Sequence, residues 1–148
     1  MATRDATTGS SYEAVIEMCI KRSCAKNALS AVRQADVGIK PGGGRHRIDW
    51  EIIDTINEDN RGLISCKFQG TSGTTEEKLA YEVIKLLHAM KLDPRYKKSW
   101  IIMGGEGWSE NMREFMNFHL VKWIPEMKNR VFILTTDQLL STEIELSV

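Results

Sequence analysis

An α/β fold, with a mixed central sheet flanked by helices, is what this chain predicts, and three observations carry it. Two runs, Arg45–Ile52 and Leu63–Gln69, alternate apolar with charged or polar residues at strand period. Two others, Trp100–Met103 and Val131–Leu134, are apolar throughout, as strands buried on both faces are. Amphipathic helical stripes precede and separate these runs. The order is helix, three strands, helix, strand, helix, strand.

Taken in turn, Ser10 or Ser11 is placed to cap a helix over Tyr12–Cys24, with Tyr12, Val15, Ile16, Cys19 and Ile20 as its apolar stripe. Leu29–Gln34 reads as a short strand. Pro41-Gly42-Gly43-Gly44 is a loop, either flexible or closely approached by something. In the next strand Ile48, Trp50 and Ile52 point one way, and Arg47, Asp49 and Glu51 the other. In the third, Ile64, Cys66 and Phe68 oppose Ser65, Lys67 and Gln69. Asn57-Glu58-Asp59-Asn60 is the turn between them. After Gly70-Thr71-Ser72-Gly73, Thr74 or Thr75 caps a long helix to Met90, with Leu79, Ala80, Val83, Leu86, Leu87 and Met90 facing the core. Gly104-Gly105-Glu106-Gly107 turns the chain from the Trp100 strand into a helix over Ser109–Val121. Asp137–Leu140 begins a final helical turn.

The 148 residues fit one domain spanning 1–148, and 42% hydrophobic with 27% charged residues reads as globular. The apolar runs are too short to span a membrane, and Met1–Ser11 lacks the apolar segment of a secretory signal. Cys19, Cys24 and Cys66 have no zinc-ligand spacing, which points to a reducing, cytoplasmic compartment. The formal charge of zero gives no global electrostatic support for a nucleic-acid partner. Locally, Lys40, Arg45, His46 and Arg47 gather just before Asp49, and Arg95, Lys97 and Lys98 form a second group.

If the two alternating strands are neighbours, the Asp49 carboxylate and the Lys67 ammonium share a sheet face, the minimal kit for holding a cation and a phosphate together. The plainer alternatives stay open. Asp49 and Lys67 also suit an exposed cross-strand ion pair. Glu13 lies three residues after Ser10, the capping-box spacing. Glu76 and Glu77 in a first helical turn favour the helix dipole whatever else they do. Tyr81 and Trp108 suit packing, and His46, His88 and His119 make no metal cluster. The glycine loop lacks the spacing of a nucleotide phosphate loop and opens no helix. Backbone N–H groups of Gly43 and Gly44, with Arg45, His46 and Arg47, are candidate contacts to a phosphate backbone.

Order and motifs together resemble the PD-(D/E)xK nuclease superfamily, the restriction-endonuclease-like fold. Gly9-Ser10-Ser11-Tyr12-Glu13 is similar to its G-x-x-(F/Y)-E helix start. Arg47-Ile48-Asp49 looks like the strand carrying its essential aspartate, Ser65-Cys66-Lys67 stands where the family has (D/E)-x-K, and Glu77…Tyr81 looks like a variant of Q-x-x-x-Y. The resemblance runs from Gly9 to Leu134. It implies an Mg²⁺-dependent DNA endonuclease of homing, restriction or junction-resolving type, with Mn²⁺ able to substitute and a homodimer or higher assembly. Asp49, Glu13, Glu77 and the main-chain carbonyl of Cys66 would ligate the metal, Lys67 would act on the water or phosphate, and Gln69 would position either. Ser65 departs from the pattern: a hydroxyl is a poor ligand for a hard cation. A glutamate from elsewhere then completes the site, with Glu13, Glu76, Glu77 and Glu82 as candidates. A catalytically inactive nucleic-acid-binding or assembly protein is the alternative, and an enzyme acting on small phosphorylated metabolites is a third.

Overall fold

The computed structural model describes residues 2–69, 76 and 78–146, with side chains from residue 11 onward. Its five strands form one mixed sheet in the order β1-β2-β3-β4-β5. β1 (Leu29–Ile39), β2 (Arg45–Asp54) and β3 (Arg61–Phe68) pair antiparallel; β3, β4 (Tyr96–Gly104) and β5 (Val131–Thr135) pair parallel. Helices α1 (Ala2–Lys26) and α5 (Thr136–Ser141) cover one face. The other carries α2 (Leu79–Leu92) and a helical run of α3 (Glu110–Glu114), a π turn (Phe115–His119) and α4 (Leu120–Trp123). This is the expected α/β architecture. Among the described residues no helix is long and apolar enough to cross a membrane.

α1 and α2 each bury a stripe at helical spacing, although Tyr12 and Val15 at the start of the expected α1 stripe are only half-buried. Ile16, Cys19, Ile20, Ser23 and Cys24 recur at i, i+3, i+4, i+7 and i+8 and are all buried. α1 begins ten residues before the expected Tyr12. Ser10 and Ser11 therefore lie inside the helix, and neither caps it, which removes the Ser10–Glu13 capping box. On α2 the buried set is Leu79, Glu82, Val83, Leu86, Ala89 and Met90, so Ala80 and Leu87 are flank rather than centre. The expected cap at Thr74 or Thr75 lies outside the described residues, as does Glu77. β4 is buried on both sides: Ile101 and Met103 join the α2 core, while Trp100 and Ile102 join the α1 core.

β1 runs five residues past the expected Gln34, because Gln34 adopts φ +54 without ending the ladder: Arg33↔Trp50 and Ala35↔Ile48 both pair. The irregularity has a different effect. Residues two apart on a strand share a face, yet Ala31, Trp50 and Ile52 pack in the α1 core, whereas Ala35, Val37 and Ile48 pack in the α2 core. The β1–β2 hairpin changes sides at Gln34 and Asp49. This corrects the expectation that Ile48, Trp50 and Ile52 form one row. Beyond the crossover the hairpin leans on α2, burying His46. Its Gly loop is a closed turn, with Gly43 N–H donating to the Lys40 carbonyl at 2.9 Å and Lys40 N–H to the Gly44 carbonyl at 3.0 Å.

Candidate active site

The site lies where β2 and β3 part. Their ladder reaches Trp50↔Ile64 and stops. The next outward N–H of β3, that of Cys66, donates instead to Asp49 Oδ2 at 2.7 Å. The hairpin crossover thus puts Asp49 at the seam between the two layers. Burial pushes the Asp49 carboxyl above its ordinary range. The Cys66 N–H and the Lys67 charge oppose that shift, and the charges of Glu82 and Glu13 add to it. Asp49 also lines a small cleft of about 30 Å³ with Glu13, Glu17, Arg33 and Cys66. The Cys66 thiol is driven far up by burial, so it stays neutral.

On the α2 side, Ser65 and Lys67 meet a carboxylate. Ser65 Oγ donates to Glu82 Oε1 at 2.6 Å, Lys85 Nζ lies 2.7 Å from Glu82 Oε2, and Lys67 Nζ lies 3.4 Å from the same oxygen. Burial alone would raise the Glu82 carboxyl. Hydrogen bonds from Lys85 and Ser65, with the Lys67 charge, outweigh it and hold the group below its usual range. Glu82 is therefore an ionised, buried carboxylate beside the serine that replaces the family acid. Its helical phase was the available signal: it stands three residues after Leu79 and four before Leu86, on the core-facing stripe, where an unpaired acid would be costly.

Several expected participants are elsewhere. Gln69 is turned away from the charged row. Its Nε2 donates to the Gly107 carbonyl at 2.9 Å and its own carbonyl accepts from Gly107 N–H at 2.7 Å, so it clasps the Gly104–Gly107 loop. Glu76 accepts from Ser109 N–H at 2.7 Å, tying the start of the α2 region to that of α3. His46, expected against phosphate, is 3% exposed and faces Lys85 and His88. The Gly43 N–H is engaged inside its own turn. Arg45 and Arg47 do point outward, Arg45 toward Asp36 at 3.4 Å. Arg95, Lys97 and Lys98 are engaged by Asp93, the Pro94 carbonyl and Glu145 at the other end of the sheet. Trp108 is a packing anchor, its Nε1 donating to the Gly104 carbonyl. Sequence reasoning missed Arg33, which shares the Asp49 cleft and lies 5.2 Å over the Trp50 ring.

Among the described residues, no three side chains drawn from His, Cys, Asp and Glu converge on one point. The arrangement is three acids, Glu13, Glu17 and Asp49, in a cleft with Arg33, and a fourth acid, Glu82, held by two lysines, on either side of one strand. The shared face expected for Asp49 and Lys67 does not form: Asp49 joins the cleft on the α1 side and Lys67 the Glu82 carboxylate on the α2 side. Comparison with known proteins agrees with this geometry. No curated protein matches the chain. A family model described as the PD-(D/E)XK nuclease superfamily domain matches residues 8–141. With a splayed β2–β3 pair carrying aspartate and lysine, and a family match over nearly its whole length, the chain belongs to the PD-(D/E)XK nuclease superfamily.

Proposed function

We propose that the chain is a divalent-metal-dependent DNA endonuclease, a single nuclease domain acting as a homodimer or higher assembly. The observation that carries this reading is Asp49 at the β2–β3 seam, bonded to Cys66 N–H and sharing a cleft with Glu13.

The donors in the cleft fit Mg²⁺ or Mn²⁺. The carboxylates of Asp49 and Glu13 are hard oxygen ligands, and Mg²⁺ is commonly held by one or two carboxylates, several waters and substrate phosphate. Asp49 is pushed toward its neutral form by burial first, with smaller additions from the Glu82 and Glu13 charges. Asp49, Glu13 and the Cys66 carbonyl would hold the ion. When bound it supplies Lewis-acid polarisation of the phosphate and a more acidic water. The protein's own groups do the rest. Lys67 stands between Glu82 and the seam, placed to stabilise charge that develops on the phosphate or to orient the attacking water. Glu82 holds Lys67 in place through their ion pair, and it brings to the Ser65 position the carboxylate that Ser65 lacks. Arg33 and the outward Arg45 and Arg47 suit phosphates flanking the scissile one. Cutting both strands with one site per chain calls for two copies.

Cleavage of plasmid and four-way-junction DNA with Mg²⁺ or Mn²⁺ tests the proposal. Wild type is expected to cut, and Asp49→Ala and Lys67→Ala each to lose about 10²–10³-fold in rate or more. DNA binding with no cutting in either metal replaces the enzyme with a nucleic-acid-binding protein.

A further inference from the structure

A second cleft of about 270 Å³ opens at the carboxyl ends of β4 and β5, lined by Tyr12, Glu106, Trp108, Arg113, Thr136 and Asp137 among others. Open α/β sheets bind ligands at this end. Three of these groups, Glu106, Arg113 and Asp137, are exposed and take part in none of the ion pairs among the described residues. Thr136 Oγ1 is buried without a hydrogen-bond partner. Oppositely charged groups that share a cleft without pairing leave both donors and acceptors open to a ligand that enters it.

The chemistry of the set selects the ligand. Phosphate offers acceptors only and would meet two carboxylates; a metal ion would meet Arg113. A nucleobase edge presents donors and acceptors side by side, matching a guanidinium on one hand and carboxylates on the other. Tyr12 adds an aromatic wall, and base–aromatic stacking tolerates any base. Trp108 is a closed floor, since its Nε1 is already bonded to Gly104. The volume falls just under the ~300 Å³ at which pockets for drug-sized ligands begin, a size suited to one planar heterocycle. The location fits as well: Tyr12 precedes Glu13, which lines the Asp49 cleft, so the two clefts flank one ridge of α1.

We infer that this cleft receives an unpaired nucleobase of the nucleic-acid substrate, next to the scissile phosphate. The inference rests on the nucleic-acid partner proposed above and adds that the substrate carries an extruded or single-stranded base.

The test is binding by the full chain, in EDTA so that nothing is cut, of a fully paired duplex and of the same duplex with one bulged nucleotide. Anisotropy gives both affinities, and 2-aminopurine at the bulge reports its surroundings. Wild type is expected to prefer the bulged duplex, with a changed 2-aminopurine signal. Arg113→Lys and Asp137→Asn are each expected to cut that preference, Arg113→Lys by roughly 5- to 150-fold, the discrimination of a bidentate arginine–base contact. Thermal melts show that the variants fold. A wild type without preference, or an Arg113→Lys variant that keeps it, overturns the inference. Cleavage with Mg²⁺ is scored separately. Cutting without bulge preference removes the base pocket and leaves the nuclease; bulge preference without cutting removes the nuclease and leaves the pocket.

Discussion

Asp49 and Glu82 are both buried acids, yet burial has opposite outcomes for them. Asp49 has one N–H donor and a lysine against desolvation and two nearby acids, and its carboxyl is raised. Glu82 has a hydroxyl and two ammonium groups, and its carboxyl is lowered despite the same penalty. The linkage signs follow. The raised Asp49 favours the protonated folded state, so its contribution to stability falls as pH rises through the ordinary carboxylate pKa to its own, and at neutral pH its charge is a liability. Lowered Glu82 contributes above the ordinary glutamate pKa and loses that as pH falls through its own. Asp49→Asn, which keeps an acceptor for Cys66 N–H, is expected to raise the thermal midpoint at pH 7 while ending cleavage. Glu82→Gln is expected to lower stability by about 1–3 kcal/mol, since Lys85 and Ser65 lose a charged partner. The partial exposure of Lys67 and Lys85 keeps that figure toward its lower end. Melts from pH 3 to pH 8 check both, and the Glu82→Gln deficit should shrink toward the acid end. Asp49 and Lys67 stood out in the sequence because an alternating run exposes its charged members. Glu82 was one of four candidate glutamates; its place on the core-facing stripe was legible, but its partner Ser65 stands seventeen residues earlier and helical phase does not reveal it.

Among elements, the loop after β4 shows how backbone conformation holds the site end together. Gly105 has φ +91, and a Cβ there would stand 2.5 Å from the Gln69 carbonyl oxygen. The close approach lets Gln69 and Gly107 bond twice. Gly105→Ala is expected to cost roughly 1–3 kcal/mol from the strained backbone alone, with more from the clash, and to slow cleavage by loosening the β3 end that carries Lys67. Urea unfolding and a kinetic assay on the same preparation check it. The glycine run advertised a turn in the sequence, whereas the role of Gln69 did not show. Period-2 reading placed Gln69 with Ser65 and Lys67, but the strand ends at Phe68, and past a strand's end alternation says nothing about direction. The same limit explains β1 and Ile48. A φ-positive Gln34 leaves no mark in composition, since such conformations are uncommon outside glycine and asparagine. Helix stripes and the doubly buried β4 were legible because burial and periodicity are one fact seen twice.

For the whole molecule, the balance of twenty acidic and twenty basic residues means that affinity for DNA, if the proposal holds, comes from a local basic face and not from net charge. Arg47 points outward from the hairpin, whereas its neighbour His46 is buried. Arg47→Ala is expected to reduce the slope of log affinity against log salt by about 1, and Arg95→Ala at the far end of the sheet to leave it unchanged. Titrations of a labelled duplex from 50 to 200 mM salt resolve the difference.

The hairpin crossover has one more consequence. Asp49 is fastened through Trp50 to the layer under α1, and Lys67, through Glu82, to the layer under α2. No single slab of the protein carries both groups of the proposed site. Prising either sheet of packing from the strands pulls one group out of range before the remaining fold dissolves. In the proposed nuclease, hydrolytic competence is then a tripwire for intactness: a partly opened chain is disarmed before it has unfolded.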